Sequence, residues 1–370
     1  MNIGIDARSL VEKKVGFGYF LMNMLEEILQ IDTENNYYFF SDREIVFDFQ
    51  KYKNVKVVQY KDTLLFPKSF YYYYQLPRFI KKSGINLDVF WGTMHLMPRG
   101  FDNTVKRLLT IHDFTHLKYP KSTTKFNLLI SRLFFGPSIL NSDEIICISN
   151  NTKKELYEYY SKECKNKHVR IIYEGGYSRK ELEKLSFDRK KIRKEILEVE
   201  KDKYLLFVGT IEPRKNIQLL INAAPKLKDI AKVIVCGKIG WEKNEIVSML
   251  KSTDNLVYFD YISQDEKLFL MNNSFCQVQP SLYEGFGLPV VESMQAGSVV
   301  LVADNSSLSE LIENDKLKFE TLCVDEFCEK VKKLSSDAEL YGRMKDYCKK
   351  RGNFFSWRKA ATEYMQLLGD

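Results

Sequence analysis

The chain has 370 residues, of which 45% are hydrophobic, and a formal net charge of +7 at pH 7. This length and composition predict a substantial buried core, favour two domains and exclude a low-complexity protein. The sequence contains no apolar run near the roughly 18 residues of a membrane span, no signal-peptide pattern and no nucleic-acid recognition motif. We therefore expect a cytoplasmic protein with reduced cysteines, no nucleic-acid partner, and a positive excess suited to phosphorylated ligands or an anionic membrane surface.

The first half of the chain alternates strand patterns with helix patterns. Short apolar segments predict strands at residues 2–7, 36–41, 54–60, 87–92, 105–113 and 144–149. Residues 17–30 and 69–84 have the composition and spacing of helices. The tyrosine run at 71–74 is expected on a partly buried helix face rather than against sugar rings.

Residues 122–140 carry an apolar stripe at helical spacing. Its members are Phe126, Leu129, Ile130, Leu133 and Phe134. Such a stripe is expected in a core more often than at a membrane. The basic residues of this region either are solvated or meet an anionic bilayer. They are Lys118, Lys121, Lys125 and Arg132, with Arg78, Lys81 and Lys82.

The second half repeats the alternation. Strands are predicted at residues 203–210, 231–238, 255–261, 275–280 and 298–304. Continuous Val, Ile and Leu runs indicate strands buried on both faces, hence parallel sheets. We predict an α/β protein with two Rossmann-like, doubly wound parallel-sheet domains facing a cleft.

The domain boundary is predicted in residues 171–184, where a strand and paired glycines give way to a charged segment. This gives domains at residues 1–178 and 179–354. The closing helix, residues 355–370, is expected to pack back on the first domain. Its proposed anchors are Phe355, Trp357, Ala360, Tyr364 and Leu367.

Ligands of open α/β sheets bind beyond the carboxyl ends of the strands, and two segments of the first half fall there. Gly16, Phe17 and Gly18 precede a helix, where backbone N–H groups can bind a diphosphate. His112 and Asp113 end a strand, so His112 either meets a ligand or is a structural residue capped by Asp113. The glycine turn alone is a weak motif.

Two further segments lie at strand ends in the second half. "GTIEPRKN", residues 209–216, places Arg214 and Lys215 before a helix. Cations are disfavoured at a helix N-terminus, so this pair predicts an anion such as a diphosphate rather than ordinary solvated charge.

"SLYEGFGLPVVESMQAG", residues 281–297, predicts a glycine turn and a short helix flanked by Glu284 and Glu292. Glu292 either complements the helix dipole or accepts hydrogen bonds from a ribose.

Together these segments resemble the retaining glycosyltransferases of family 4, which have the GT-B fold. Glu284 and Glu292 match the E-x7-E motif of that family. "TIHDF" and "ICISNNTKKEL" resemble its N-terminal half, and "FSWRKAATEYMQLL" resembles its closing helix. The resemblance covers nearly the whole chain. Two positions depart from the common pattern: Thr210 stands where many members have arginine, and "GFGYF" replaces "GIGRY".

The resemblance implies a role for each matching residue. Arg214 and Lys215 hold the donor diphosphate, with Gly18 contacting phosphate or acceptor. Glu284 contacts the donor sugar, and His112 lies near the reacting centre. The remaining expected contacts are Glu292 to the ribose, Tyr261 and Ile262 to the base, and the donor-site loop Gly285, Phe286, Gly287 and Leu288.

The implied activity is transfer of a hexose, with retention, from a nucleotide sugar to a lipid-linked or saccharide acceptor in cell-surface polysaccharide synthesis. GDP-mannose is the first candidate donor. No cofactor or metal is expected, because the cations serve the leaving group and the sequence has no Asp-x-Asp pair. Two alternatives remain: a non-catalytic nucleotide-sugar-binding partner and a GT-B nucleotide-sugar epimerase.

Overall fold

The computed structural model describes residues 1–11, 16–60, 68–178, 181, 187–199, 203–240 and 244–369. The chain divides into two compact units. The first unit consists of Met1–Glu174 with Trp357–Asp370, and the second is Gly175–Ser356.

The first unit contains a seven-stranded sheet whose strand pairs are all parallel. The strands are β1 (Asn2–Asp6), β2 (Asn36–Ser41), β3 (Val55–Gln59), β4 (Val89–Gly92), β5 (Lys106–Ile111), β6 (Glu144–Cys147) and β7 (His168–Ile171). Their order is β3-β2-β1-β4-β5-β6-β7. This order runs outward in both directions from β1, as in a doubly wound fold.

Within the described residues, five α-helices accompany this sheet before the chain enters the second unit. They are α1 (Gly16–Ile31), α2 (Lys68–Lys82), α3 (Thr115–Lys118), α4 (Lys125–Leu140) and α5 (Asn150–Tyr160). Side-chain capping explains where α4 and α5 begin. Thr124 accepts a hydrogen bond from the Asn127 N–H, and Ser149 accepts one from the Thr152 N–H.

The second unit contains a six-stranded sheet, again with parallel pairs throughout. Its strands are β8 (Tyr204–Val208), β9 (Lys232–Cys236), β10 (Leu256–Phe259), β11 (Cys276–Gln279), β12 (Val299–Ala303) and β13 (Lys318–Phe319). Their order is β10-β9-β8-β11-β12-β13. The carboxyl ends of β8 and β11 are therefore neighbours.

Most of the α-helices that are described in the second unit follow a strand. They are α6 (Lys194–Leu197), α7 (Ile217–Ala223), α8 (Asn244–Ser252), α9 (Gln264–Asn273), α10 (Leu288–Gln295), α11 (Ser306–Leu311), α12 (Val324–Ser336) and α13 (Ala338–Gly352). Among the described helices of the whole chain, none is both long and apolar enough to cross a bilayer.

The closing helix, α14 (Trp357–Gly369), packs against α1 in the first unit. Trp357, Ala360, Tyr364 and Leu367 are buried, as expected of anchors. The Phe355 ring instead lies 5.7 Å from that of Phe286, and both residues belong to the second unit. Its assignment as an anchor on the first domain is therefore wrong: Phe355 precedes the helix and fills the core beside the glycine loop.

Helix α4 divides the predicted apolar stripe between the core and solvent. Ile130 and Phe134 are buried and pack with Tyr73 of α2. Phe126, Leu129 and Leu133 are each about half exposed, at 47%, 52% and 47%. The expectation of a core stripe is wrong for these three, because only one side of α4 meets α2. The tyrosine run behaves as predicted: Tyr71 to Tyr73 are buried and Tyr74 is exposed.

Candidate functional site

The loop after β8 is attached to the loop after β11 by backbone and amide hydrogen bonds. Residues Pro213–Lys215 form one 3-10 turn, and Asn216 ends it in the left-handed region at φ 53°. The Asn216 amide donates to the carbonyl oxygens of Pro280 (3.1 Å) and Thr321 (3.0 Å). The Leu282 N–H donates to the Arg214 carbonyl at 2.7 Å. These bonds bring the two predicted motifs of the second half together.

Four charged side chains meet where the two loops join, and we call Glu212, Arg214, Lys215 and Glu284 the Glu284 cluster. The Lys215 Nζ lies 2.6 Å from Glu284 Oε1, and the Arg214 Nη1 lies 2.9 Å from Glu284 Oε2. The Arg214 Nη2 lies 2.7 Å from Glu212 Oε1. Two cations and two carboxylates thus neutralise one another at a largely buried position, since Lys215 is 8% and Glu284 6% exposed.

Glu284 is the centre of this cluster. Its Oε1 also accepts hydrogen bonds from Gln279 Nε2 at 2.8 Å and Ser281 Oγ at 2.7 Å. Burial opposes ionisation of the carboxyl group, but Lys215, Arg214 and these hydrogen bonds outweigh it and lower the pKa of Glu284 to about 2. Glu284 is therefore an ionised carboxylate at neutral pH. The anion that the sequence predicted beside the cations is, in this structure, supplied by the protein.

The glycine loop that follows is held by two serines from the start of α11. The Ser307 hydroxyl donates to the carbonyl oxygens of Glu284 (3.0 Å) and Phe286 (2.6 Å), and the Ser306 hydroxyl accepts from the Glu284 N–H (3.0 Å). Gly287 has φ 120°, and a Cβ there would lie 2.9 Å from Leu311 Cδ1. The positive φ requires glycine at this position, and the close contact with Leu311 adds to the strain of any larger residue.

The residues of the predicted donor-site loop differ in how far they are exposed. Phe286 is 4% exposed, so its side chain belongs to the core, whereas Gly285 is half-buried. Gly287 precedes α10, and Leu288 is the first residue of that helix. The backbone of this loop, rather than the Phe286 ring, is the part suited to approach a ligand.

Glu292 lies in the second turn of α10 and not at its first residues. Its Oε1 accepts a hydrogen bond from Lys267 Nζ of α9 at 2.8 Å. The carboxylate keeps acceptor capacity in its second oxygen, as a ribose contact requires.

Tyr261 and Ile262, the predicted base contacts, follow β10. The Tyr261 side chain is 61% exposed, and Lys238 Nζ lies 4.9 Å from the centre of its ring. The Tyr261 carbonyl accepts from Arg193 Nη2 at 2.5 Å. Ile262 packs against the core of the second unit. The Tyr261 ring is thus presented to solvent, while its backbone carbonyl is already engaged.

His112 follows β5 in the first unit and is 4% exposed. Its Nε2 lies 2.9 Å from the Thr93 carbonyl oxygen, which can only accept, so this nitrogen carries a hydrogen. Its Nδ1 lies 3.4 Å from Glu174 Oε1. The rings of Phe17 and Phe20 each lie 4.7 Å from that of His112. The ring is therefore fixed on all these sides by groups of its own unit.

The sequence suggested Asp113 as a structural partner of His112, but the contacts described for the His112 ring are with other residues. Asp113 accepts from the Thr115 N–H at 2.9 Å, whereas the ring of His112 is held by Thr93 and Glu174. Gly18 lies buried in the first turn of α1. Its neighbour Phe17 contacts His112, so the structure brings the first glycine turn and His112 together.

Glu174, Glu212, Ser306 and Ser307 are among the polar residues of these sites that sequence reasoning missed. Two of them were visible as acids at strand ends, in "IIYEGG" and in "GTIEPRKN" itself. The serines follow β12, in a segment without a distinctive local pattern. Their role depends on the meeting of two loops, which the local sequence does not encode.

One group of side chains within the described residues has the proximity of metal ligands: Glu320, Cys323 and Glu326. The Cys323 Sγ accepts from the Glu326 N–H at 3.5 Å, and Glu326 Oε2 accepts from the Glu320 N–H at 2.8 Å. These bonds cap the start of α12, which accounts for the cluster. It does not include any residue of the Glu284 cluster.

Comparison with known proteins finds a family match within the second unit. Residues 188–351 match the family Glycosyl transferases group 1. The O-antigen chain mannosyltransferase RfbU of Salmonella typhimurium is 26% identical over 67% of this chain and 64% of its own length. The serotype-specific mannosyltransferase WbdA of Escherichia coli is 29% identical over 45% of this chain and 22% of its own length. The chain thus spans less than two thirds of either relative.

A third relative is matched more completely. It is the N-acetylgalactosamine-N,N'-diacetylbacillosaminyl-diphospho-undecaprenol 4-alpha-N-acetylgalactosaminyltransferase of Campylobacter jejuni, 26% identical over 74% of this chain and 72% of its own length.

Solved structures match over the whole chain. Sucrose-phosphate synthase from Thermosynechococcus elongatus superposes with a TM-score of 0.74, at 17% identity, over 99% of this chain and 98% of its own. Anabaena HepE in complex with UDP-glucose superposes with a TM-score of 0.69, at 13% identity, over 100% and 99%. Identities this low show the fold alone. With sheets of seven and six parallel strands, the predicted GT-B fold class is confirmed.

Proposed function

We propose that the protein is a retaining glycosyltransferase that moves a hexose from a nucleotide sugar to a lipid-linked or saccharide acceptor. The observation that carries this proposal is the Glu284 cluster. It joins the two predicted donor motifs at the carboxyl edge of the second sheet, inside the segment that matches Glycosyl transferases group 1. The mannosyltransferase names of two relatives favour GDP-mannose as the donor.

Leaving-group chemistry explains why cations lie at this edge. Breaking the bond between sugar and phosphate develops negative charge on the departing nucleoside diphosphate. Lys215 and Arg214 are preorganised by Glu284, so they stabilise that charge without reorganisation during the reaction. The N-terminal end of the α10 dipole adds positive potential on the same side. We propose that this arrangement replaces a metal ion.

Glu284 and Glu292 receive separate roles in this proposal. Glu284 holds the cations and presents its edge to the donor sugar, while Glu292 accepts hydrogen bonds from the ribose beside Lys267. The exposed ring of Tyr261 and the half-buried Ile262 border the base. In the first unit, Gly18 contacts phosphate or acceptor, and His112 serves the reacting centre through a ring held by Thr93 and Glu174.

Turnover with defined substrates tests the activity and separates it from its two rivals. Purified protein is screened with GDP-mannose and with UDP- and other GDP-sugars by thermal shift, and then assayed with and without polyprenyl-diphosphate-linked saccharides. Transfer that requires the acceptor supports the proposal. Binding without turnover favours a non-catalytic partner, and conversion of the sugar without acceptor favours an epimerase.

Two finer points of the proposal have their own measurements. The anomeric configuration of the first product, read by proton NMR before any mutarotation, decides between retention and inversion. Turnover after dialysis against a chelator decides the metal requirement: we expect full activity, because the cations are Lys215 and Arg214 rather than a divalent ion.

We further propose that α4 and α2 form a face that binds an anionic lipid surface. Phe126, Leu129, Leu133 and Leu140 are exposed at spacings of three, four and seven residues, so they lie along one side of α4. The basic residues Lys125 and Arg132 are exposed on the same helix. Neither α2 nor α4 contains an acidic residue. An apolar stripe with basic flanks fits an acidic bilayer, where each cation contributes about 1 kcal/mol.

Vesicle binding tests this face. Leu133→Asp should reduce co-sedimentation with phosphatidylglycerol vesicles severalfold, whereas Leu322→Asp should not, although Leu322 is even more exposed at 73%. Wild-type protein should bind vesicles of phosphatidylcholine alone only weakly. Equal binding of both variants would remove α4 from any membrane contact.

A further inference from the structure

Glu212 is a buried carboxylate for which the proposed transfer reaction has no evident use. It is 8% exposed, and its Oε1 lies 2.7 Å from the Arg214 Nη2. Among the residues that the structure describes, Arg214 is its sole ion-pair partner. Its backbone carbonyl accepts from the Lys215 N–H at 2.9 Å, so the residue is anchored in the 3-10 turn beside the proposed diphosphate site.

The charge of the Glu284 cluster raises a difficulty for diphosphate binding. Two cations and two carboxylates sum to zero, so the cluster presents no net positive charge to an incoming dianion. Buried carboxylates close to a phosphate would repel it at low local dielectric. A phosphate oxygen can therefore gain a charged hydrogen bond in this cluster only if one carboxylate gives up a cation when the donor binds.

Glu284 and Glu212 differ in how many bonds each would lose by giving up a cation. Glu284 is held by Lys215, Arg214, Gln279 and Ser281. Moving it would break several charged hydrogen bonds at once. Glu212 would give up a single ion pair, and the released Arg214 Nη2 would gain a phosphate oxygen in exchange. The exchange replaces one charge-assisted bond with another but leaves the buried Glu212 carboxylate without its cation, so it lowers the affinity for the diphosphate.

We propose that Glu212 is an internal competitor of the donor diphosphate for Arg214. In the absence of donor it compensates the charge of Arg214 and keeps the guanidinium ordered. When a diphosphate arrives, the guanidinium turns its Nη2 from Glu212 to the phosphate. Return of Arg214 to Glu212 after transfer weakens the grip on the product nucleoside diphosphate and speeds its release. This inference rests on the proposed function, since it requires a diphosphate ligand.

Calorimetric titration with GDP and UDP tests the competition. Glu212→Gln removes the competing charge but keeps the side-chain volume, and we expect it to bind the preferred nucleoside diphosphate about tenfold more tightly. The gain should shrink at high salt. If Glu212 instead only orients Arg214, the variant binds more weakly, which overturns the proposal. Unchanged affinity overturns it as well.

Two further variants make the result specific. In an Arg214→Met background, Glu212→Gln should no longer increase affinity, because Glu212 acts through Arg214. Glu212→Ala should behave as Glu212→Gln does, which protects the test against a folding defect of one variant. Glu313→Gln is the control, since this acid pairs with Arg351 and is 68% exposed. Wild-type protein that binds no nucleoside diphosphate and shows no transfer would refute the proposed function itself.

Discussion

Replacing Glu284 by glutamine measures how strongly the protein stabilises this carboxylate. Its pKa falls from an ordinary 4.5 to about 2 in the folded state. At 1.36 kcal/mol per pKa unit, the folded protein gains about 3 kcal/mol from the ionised group. The same order follows from the about 3–5 kcal/mol lost when one partner of a buried ion pair is removed. Glu284→Gln should therefore lower the free energy of unfolding by about 3 kcal/mol at neutral pH.

The pH dependence of the free energy of unfolding gives a sharper test than the loss of stability at neutral pH. Because the folded-state pKa lies below the unfolded one, this stabilisation is complete above about pH 4.5 and is lost as the pH falls towards 2. Between pH 6 and pH 3, wild-type protein should lose about 2 kcal/mol through this group. The variant has no carboxyl group at this position, so its stability should fall by about 2 kcal/mol less over the same interval.

Urea unfolding at the two pH values, followed by circular dichroism, measures the difference. The chain has two units, so the fits allow each unit its own transition. Glu313→Gln is the matched control at an exposed carboxylate, with an expected change below about 0.5 kcal/mol. If wild-type and Glu284→Gln proteins lose equal stability between pH 6 and pH 3, Lys215 and Arg214 do not hold Glu284 ionised and our account of the cluster is wrong.

Three other predictions address ligand binding, turnover and the loop geometry. Lys215→Met should weaken nucleoside diphosphate binding at least tenfold by calorimetry, because a charged hydrogen bond of about 1.5–3 kcal/mol is removed; unchanged affinity would exclude Lys215 from the site. His112→Ala should lower the rate of transfer far more than the affinity for nucleoside diphosphate, and equal losses would assign the ring a structural or nucleotide-binding role. Gly237→Ala should cost about 3 kcal/mol or more in unfolding free energy, because its Cβ would lie 1.8 Å from the Gly209 carbonyl oxygen at φ 151°. Gly342→Ala, inside α13 with open space around the new Cβ, should instead stabilise by about 0.5–1 kcal/mol, and similar effects of the two changes would contradict the close loop approach.

Local sequence was sufficient to predict an α/β protein with parallel sheets. The predicted strands at residues 203–210 and 298–304 contain β8 and β12. Apolar runs that are buried on both faces are compatible with parallel sheets and little else. Strand β13 was not predicted. It has only two residues, too few for a recognisable sequence pattern, and it is a strand because it pairs with β12. The predicted GT-B architecture therefore followed from periodicity and resemblance together.

Packing decided which side chains are buried, and here sequence reasoning failed in part. The stripe of α4 has the spacing of a core face, yet Leu129 and Leu133 are exposed. The side of α4 that enters the core carries Ile130, Phe134, Phe135 and Ile139 instead. Phe355 was assigned to the first unit because it adjoins α14, but its ring packs on Phe286. Helical periodicity identifies an apolar face without identifying what covers it.

The sequence by itself determined which residue types form the candidate site and that they lie at the carboxyl edge of the sheet. Cations follow one strand, acids follow another, and glycines stand where the backbone must bend. Tertiary structure alone decided the pairing. Lys215 and Glu284 are separated by 69 positions, and they meet because β8 and β11 are neighbours in the sheet. Likewise, only the fold brings Glu174 to His112. Charge pairs of this kind form by short-range contact between distant loops, so their partners, and hence the charge offered to a ligand, depend on strand order rather than on local pattern.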